Sequence, residues 1–239
     1  MAKRGKIKKR SSAIIETIKR PIRLRKYQMF CLIVCEDQST EPYYFGAFEK
    51  LFPKETFYLK AVGTGRDPLG VTEQAIAERK SLEDEIRKKV DSVWVVFDKD
   101  DADENETKIQ RFNSAFYLAE KESIQIAYSN EVFELWLLLH LANIEPILPL
   151  PRESVYMKLE DEIKLHDGYS DFQYIHGNSE IIDVVRKIGD EEEAVKRAEQ
   201  LLVHHDSVSP LEANPSTKVH ELIKELRDWV KYFNWKPEK

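Results

Sequence analysis

A chain of 239 residues, 42% hydrophobic and 33% charged, can bury one good core and a smaller added unit, and has the composition of an ordinary globular protein. Its longest apolar runs are too short to cross a bilayer, and no apolar stretch follows the basic N-terminus, so neither a membrane protein nor a secreted one is expected and the cytoplasm is the expected location. The net charge of -6 hides a split: residues 1–26 carry eleven Lys or Arg against one acid, Glu16, while the body keeps 26 of the 37 bases and 42 of the 43 acids.

In that basic arm Lys8, Lys9, Arg10, Arg23, Arg25 and Lys26 are candidates for neutralising the phosphates of a nucleic acid, which an acidic body would otherwise repel. The same composition also suits a solvated tail. Residues 1–26 show no sustained apolar period and are expected to be mobile on their own. The run Gln28 to Cys35 is almost continuously apolar, as a strand covered on both faces of a parallel sheet should be, and it ends at Glu36. Cys31 and Cys35, the only cysteines, point the same way from that strand but stand roughly 13 Å apart at about 3.3 Å per residue, so they cannot bridge and are expected as free thiols.

Next come a turn and a helix, with Thr40 placed to cap it, Pro42 in its first turn, and Tyr44, Phe45, Phe48, Leu51 and Phe52 at helical spacing. Thr56 to Val62 reads as a second strand. Gly63-Thr64-Gly65-Arg66-Asp67-Pro68 then closes it, either as a loose phosphate cradle assisted by Arg66 or as a tight strand-to-helix connection. An amphipathic helix over 69–89 leads to the strand 92–98, which delivers Asp98-Lys99-Asp100-Asp101 at its end. A helix over 107–121, a strand over 123–129 and a buried helix over 130–140 complete the alternation, which predicts an α/β fold with a parallel sheet. Beyond the prolines 146, 149 and 151 only helical periodicity remains, at 152–165, 179–188, 191–204 and 216–234. The division expected is therefore a basic arm (1–26), an α/β core (27–143) and a helical C-terminal region (144–239), as a lobe or an added layer.

Three acids at the end of one strand repel one another unless a cation joins them. In open α/β sheets the ligand site lies outside the carboxyl ends of the strands, where strand order reverses. Were the strands ending in Glu36 and Asp98 neighbours, those carboxylates and Asp100 would form a hard oxygen set suited to Mg²⁺ or Mn²⁺, with no Cys/His set for zinc.

Glu36 and Asp98-Lys99-Asp100, each following an apolar strand, resemble the Toprim arrangement of topoisomerases, primases and OLD-type nucleases. Four blocks together resemble the RloB-like family: Glu36-x-x-x-Thr40-Glu41-Pro42-x-Tyr44-Phe45, the Asp-x-Asp pair, Asn130-x-x-Phe133-Glu134-Leu135-Trp136-x-x-x-His140, and Asn214-Pro215-x-Thr217-x-Val219. The resemblance spans about residues 27–230, with the blocks in family order. Asp37-Gln38 stands where a glycine commonly follows the glutamate, and Glu131-Val132 replaces a common Pro-Cys; neither change removes a carboxylate.

The resemblance implies a Toprim-like fold and a Mg²⁺- or Mn²⁺-dependent nuclease of DNA or RNA, encoded at phage-defence loci beside an ATPase. The alternative is a non-catalytic adaptor or sensor that binds nucleic acid or the ATPase; self-association stays open. It also implies that Glu36 is a metal ligand or general acid/base and that Asp98 and Asp100 hold the cation. Glu134 offers a second metal position or merely complements a helix dipole, the role preferred for Glu41. His140 is a phosphate donor, a proton shuttle or a satisfied core residue. Lys99 pairs with the acids or touches the phosphodiester. Asp101 is open to the reading of an ordinary helix-approach acid, and the remaining histidines, His176 among them, are expected at the surface.

Overall fold

The structure, a computed structural model, describes residues 24–236. Four parallel strands form one sheet: β1 (Met29–Cys35), β2 (Phe57–Gly63), β3 (Ser92–Asp98) and β4 (Gln125–Ser129), in the spatial order β2-β1-β3-β4. Every residue of β1 is buried, because the strand has a neighbour on each side and helices over both faces. Cys35 lies opposite Gly63 on one side and Val96 on the other, so the strands end nearly flush.

Alternate side chains feed two cores, as the pleat requires. Leu32, Val34, Val93, Val95 and Phe97 pack against α2 (Pro68–Ile86) and α3 (Glu106–Lys121). Cys31, Ile33, Cys35, Trp94 and Val96 face α1 (Thr40–Gly46) and α4 (Glu134–Leu139). The same cluster runs on without a break through α5 (Arg152–Lys164), α6 (Glu180–Ile188), α7 (Glu191–His204) and α8 (Val219–Asn234). The C-terminal helices thus build a layer on that face of the sheet. Residues 213–219 fasten it to the sheet: Thr217 bridges Ser129 at the end of β4, and Lys218 N–H donates to the Tyr128 carbonyl at 2.8 Å.

Local chemistry shifts several predicted ends. The α1 cap is not Thr40: the Asp37 carboxylate accepts the N–H groups of Ser39 (3.0 Å) and Thr40, taking up donors that a helix start leaves orphaned. β4 begins at Gln125 because Ser123 is left-handed (φ 53°) and Ile124 N–H still closes onto Ala119 at the end of α3. α4 starts at Glu134 and not at Asn130, since Glu131 is left-handed (φ 72°) and Asn130 N–H is committed to the Ser216 carbonyl at 2.8 Å. No helix among the described residues is long and apolar enough to cross a membrane.

Candidate active site

The connection after β1 leaves toward α1 on one face, and the connection after β3 leads to α3 on the other. A crevice opens between them, at the point where strand order reverses. Glu36 and Asp98 line it as neighbours. Glu36 N–H extends the ladder to the Val96 carbonyl at 2.8 Å, and its carboxylate accepts the Asp98 N–H at 3.0 Å.

Asp100 follows in a left-handed turn (φ 45°), a conformation that costs a non-glycine residue energy and that the surroundings must hold. They hold it through Glu131: the Asp100 N–H donates to the Glu131 carbonyl at 3.1 Å, and the Glu131 carboxylate takes bonds from Lys99 (3.1 Å) and Asn214 (3.0 Å). Asn214 also accepts the Leu150 N–H at 2.8 Å. Two motif blocks far apart in sequence therefore meet beneath the acidic turn.

A cleft of about 210 Å³ is lined by Glu36, Glu41, Asp98, Asp100 and Glu134, with Arg152, Tyr156 and His176 opposite. With Asp37, which also lines it, six carboxylates share one small volume. Burial pushes the Glu36 carboxyl up to about 8, with Asp100 adding to it against the Asp98 N–H bond. Burial, and then the neighbouring acids, drive Asp98 and Glu41 well above the usual carboxylate range. Asp100 and Glu134 are raised chiefly by burial as well. Glu41 stands in the first turn of α1, where the dipole reading puts it, and is 1% exposed within this cluster. Glu134 is oriented by the Tyr174 hydroxyl, which donates to its carboxylate, and Tyr174 stacks on Tyr156 with ring centres 4.7 Å apart.

The other predicted residues do not line this cleft. His140 is buried at the far end of α4, where its Nδ1 is 2.9 Å from the Trp136 carbonyl; it lines a separate cavity with Arg186 and Arg227. Lys99 pairs with Asp103 (2.8 Å) and Glu131, and it lines an adjoining hollow that shares Glu36 and Asp100 with the cleft. Asp101, although next to the set, pairs with Arg152 outside the cleft. Arg66 is exposed, and the loop around it is a tight connection: the N–H groups of Thr64 and Gly65 are spent on the Cys35 and Glu36 carbonyls at 3.0 and 2.7 Å. A Cβ at Gly63 would sit 2.4 Å from the Asp37 carbonyl oxygen, so only glycine fits there. Arg25 and Lys26 belong to a short turn before β1, at the opposite end of the sheet, where Lys26 pairs with Glu55 at 3.2 Å. Lys8, Lys9, Arg10 and Arg23 lie outside the described residues.

Arg152, Tyr156 and His176 line the cleft from the C-terminal layer, and Tyr174 reaches it through Glu134, without a sequence signal; His176 is exposed, as expected, and stands at the cleft as well. Among the described residues, no three Asp, Glu, His or Cys side chains already converge at ligand spacing. The donor chemistry nonetheless suits a hard cation. The acids of the cleft all offer oxygen, and the Asp98 Oδ1 is buried with no hydrogen-bond partner among the described residues. Asp98, Asp100 and Glu36 are the groups that could hold the ion, with Glu41 and Glu134 next.

An open parallel sheet with a cluster of acids at its switch point defines a Rossmann-like α/β protein whose polar site sits on the strand ends. The chain belongs to the RloB-like family: the family described as RloB-like protein matches residues 31–226, from β1 into α8. No curated protein and no solved structure matches it.

Proposed function

We propose that this protein is a divalent-metal-dependent nuclease of Toprim type that hydrolyses phosphodiester bonds in DNA or RNA, takes Mg²⁺ or Mn²⁺ as cofactor, and serves phage defence under the control of a partner ATPase. The observation that carries the enzymatic part is the Asp98 Oδ1, buried without a donor amid five other carboxylates. A buried acid with neither donor nor counter-charge is expensive, and a hard cation is the partner that suits an all-oxygen surrounding. Once bound, such an ion supplies Lewis acidity and an acidified water. Membership of the RloB-like family supports the reading, while defence and the ATPase rest on the family resemblance alone.

The residues of the chain supply the rest. Asp98 and Asp100 offer ligand oxygens from the two sides of the turn after β3. Glu36, fixed by the Asp98 N–H, is placed to hold the ion or to take or give a proton at the phosphate. Tyr174 holds Glu134 in one orientation, at a second ligand position.

The test is cleavage of plasmid, single-stranded DNA and total RNA in Mg²⁺, Mn²⁺ or EDTA, comparing wild type with Glu36→Gln and Asp98→Asn. Metal-dependent cutting that both substitutions abolish is the expected result. Cutting that survives EDTA or both changes sinks the reading. So does silence even with the ATPase present, combined with no rise in melting temperature on adding metal; that pair of results favours the adaptor.

A further inference from the structure

Arg152 is the one Lys or Arg lining the carboxylate cleft among the described residues. It opens α5 directly after Pro151, and the N–H groups of Ser154 and Val155 both close on the Pro151 carbonyl, at 2.9 and 3.1 Å, which fixes its backbone. A single nitrogen, Nη2, makes both of its ion pairs: Asp100 Oδ1 at 3.1 Å and Asp101 Oδ1 at 2.8 Å. No hydrogen bond from Nε or Nη1 occurs among the described residues, so most of the guanidinium fork is uncommitted.

Asp100 is thus claimed twice, by a resident cation and, in the nuclease reading, by a divalent ion. The two claims compete, since each positive charge near the same oxygen weakens the hold of the other. Asp101 gives the guanidinium a second anchor outside the cleft, with its side chain 65% exposed. Released from Asp100, Arg152 would keep that anchor and turn its free donors to an anion at the cleft mouth. The planar fork matches two non-bridging oxygens of a phosphate.

We infer that Arg152 is an exchangeable cation: it holds Asp100 in the metal-free protein and passes to the substrate's phosphate when a divalent ion takes Asp100. The inference rests on the nuclease reading and adds to it a phosphate-binding residue that also tunes metal affinity. No covalent bond is made or broken in the exchange.

The experiment measures two quantities that should move in opposite directions. Isothermal titration with Mn²⁺ and no nucleic acid compares wild type, Arg152→Ala and Arg152→Lys; kcat and KM are then measured on an oligonucleotide that wild type cuts. Arg152→Ala should bind Mn²⁺ about three- to tenfold tighter, because a competing charge at a partly exposed pair is gone. Its kcat/KM should fall about ten- to a hundredfold with the loss of a charged phosphate contact. Arg152→Lys should keep the metal affinity of wild type but recover only part of kcat/KM, a point charge replacing a fork. Simple damage to the fold weakens both quantities together. Should the alanine variant not fold, Arg152→Gln keeps the aliphatic stem and carries the same expectations. Failure of either movement overturns the inference while wild-type cutting leaves the nuclease intact. A wild type that binds no Mn²⁺, or cuts nothing, overturns the nuclease reading and this inference with it.

Discussion

The two ends of α4 carry two buried polar side chains in opposite circumstances. Glu134 is 6% exposed and His140 is 5% exposed, so burial does not separate them. His140 is satisfied by its own helix at Trp136, wedged against Gly189, and held neutral chiefly by burial. Glu134 faces a cleft crowded with acids, one of which has no partner for a buried oxygen. Trp136 Nε1 beside His140 is also buried without a partner, so what distinguishes a site from a core is the unbalanced charge of crowded carboxylates, not the depth of the residue or one unpaired atom.

The sharpest way to break the comparison is Asp98→Asn. Cleavage should fall by about a thousandfold or more, on the scale of losing a central electrostatic group, while the metal-free protein melts about 2–4 °C higher because a buried acid that can ionise only against its neighbours has become a neutral amide. Rate and calorimetry together check this, and a lower melting temperature would contradict the picture of a strained, repulsive cluster. At the other end, His140→Phe should lose about 1–3 kcal/mol of stability, from a lost hydrogen bond and imperfect packing. Its cleavage rate should stay within about twofold of wild type, on the scale of a surface-neutral change. A stable His140→Phe protein with a large loss of rate would restore a catalytic role to that histidine. Tyr174→Phe sharpens the Glu134 end: removing the hydroxyl that orients the carboxylate should slow cleavage about three- to tenfold with little effect on melting.

The smallest effect is a pH dependence with two slopes. Glu36, Glu41, Asp98 and Glu134 keep protons to higher pH in the folded chain than in the unfolded one. The folded state therefore binds more protons over that range, and metal-free stability should fall as pH rises from about 4.5 toward 8. His140 has the opposite sense, shared by His205 and His220: each resists protonation when folded, so stability should fall as pH drops below about 6.5. Melting curves from pH 5 to 8 should show the alkaline slope flattened in Asp98→Asn and the acid slope flattened in His140→Phe. Divalent metal should raise the melting temperature most at the alkaline end. Slopes that both variants leave untouched would detach the titration from α4 and its surroundings.

Much of this was legible in the chain because strands covered on both faces announce themselves as unbroken apolar runs. An acid at the end of such a run is conspicuous, which is how Glu36 and Asp98 stand out. That they are neighbours depends on strand order, a tertiary fact. The cap on α1 went to Asp37 and not Thr40 because a carboxylate two or three residues back can reach both orphan N–H groups at once. Arg152, Tyr156 and His176 were not legible for a different reason. On a polar helix face or in an aperiodic loop they look like any solvated residue, and only the packing of the C-terminal layer turns them toward the acids. The pairing of Asn214 with Glu131 is the trace that was available, since both belong to blocks that the family resemblance marks.

The clasp that Asn214 and Thr217 place under β4 also sets an order of events during synthesis. The acids Glu36, Asp98, Asp100 and Glu134 leave the ribosome first, and the residues that secure Glu131 and Ser129 follow much later along the chain. A growing polypeptide therefore exposes its acids before it owns the strut that keeps Asp100 in its left-handed turn. Maturation of the cleft is tied to completion of the C-terminal layer, which gives the cell an interval in which the nascent protein is present but unfinished.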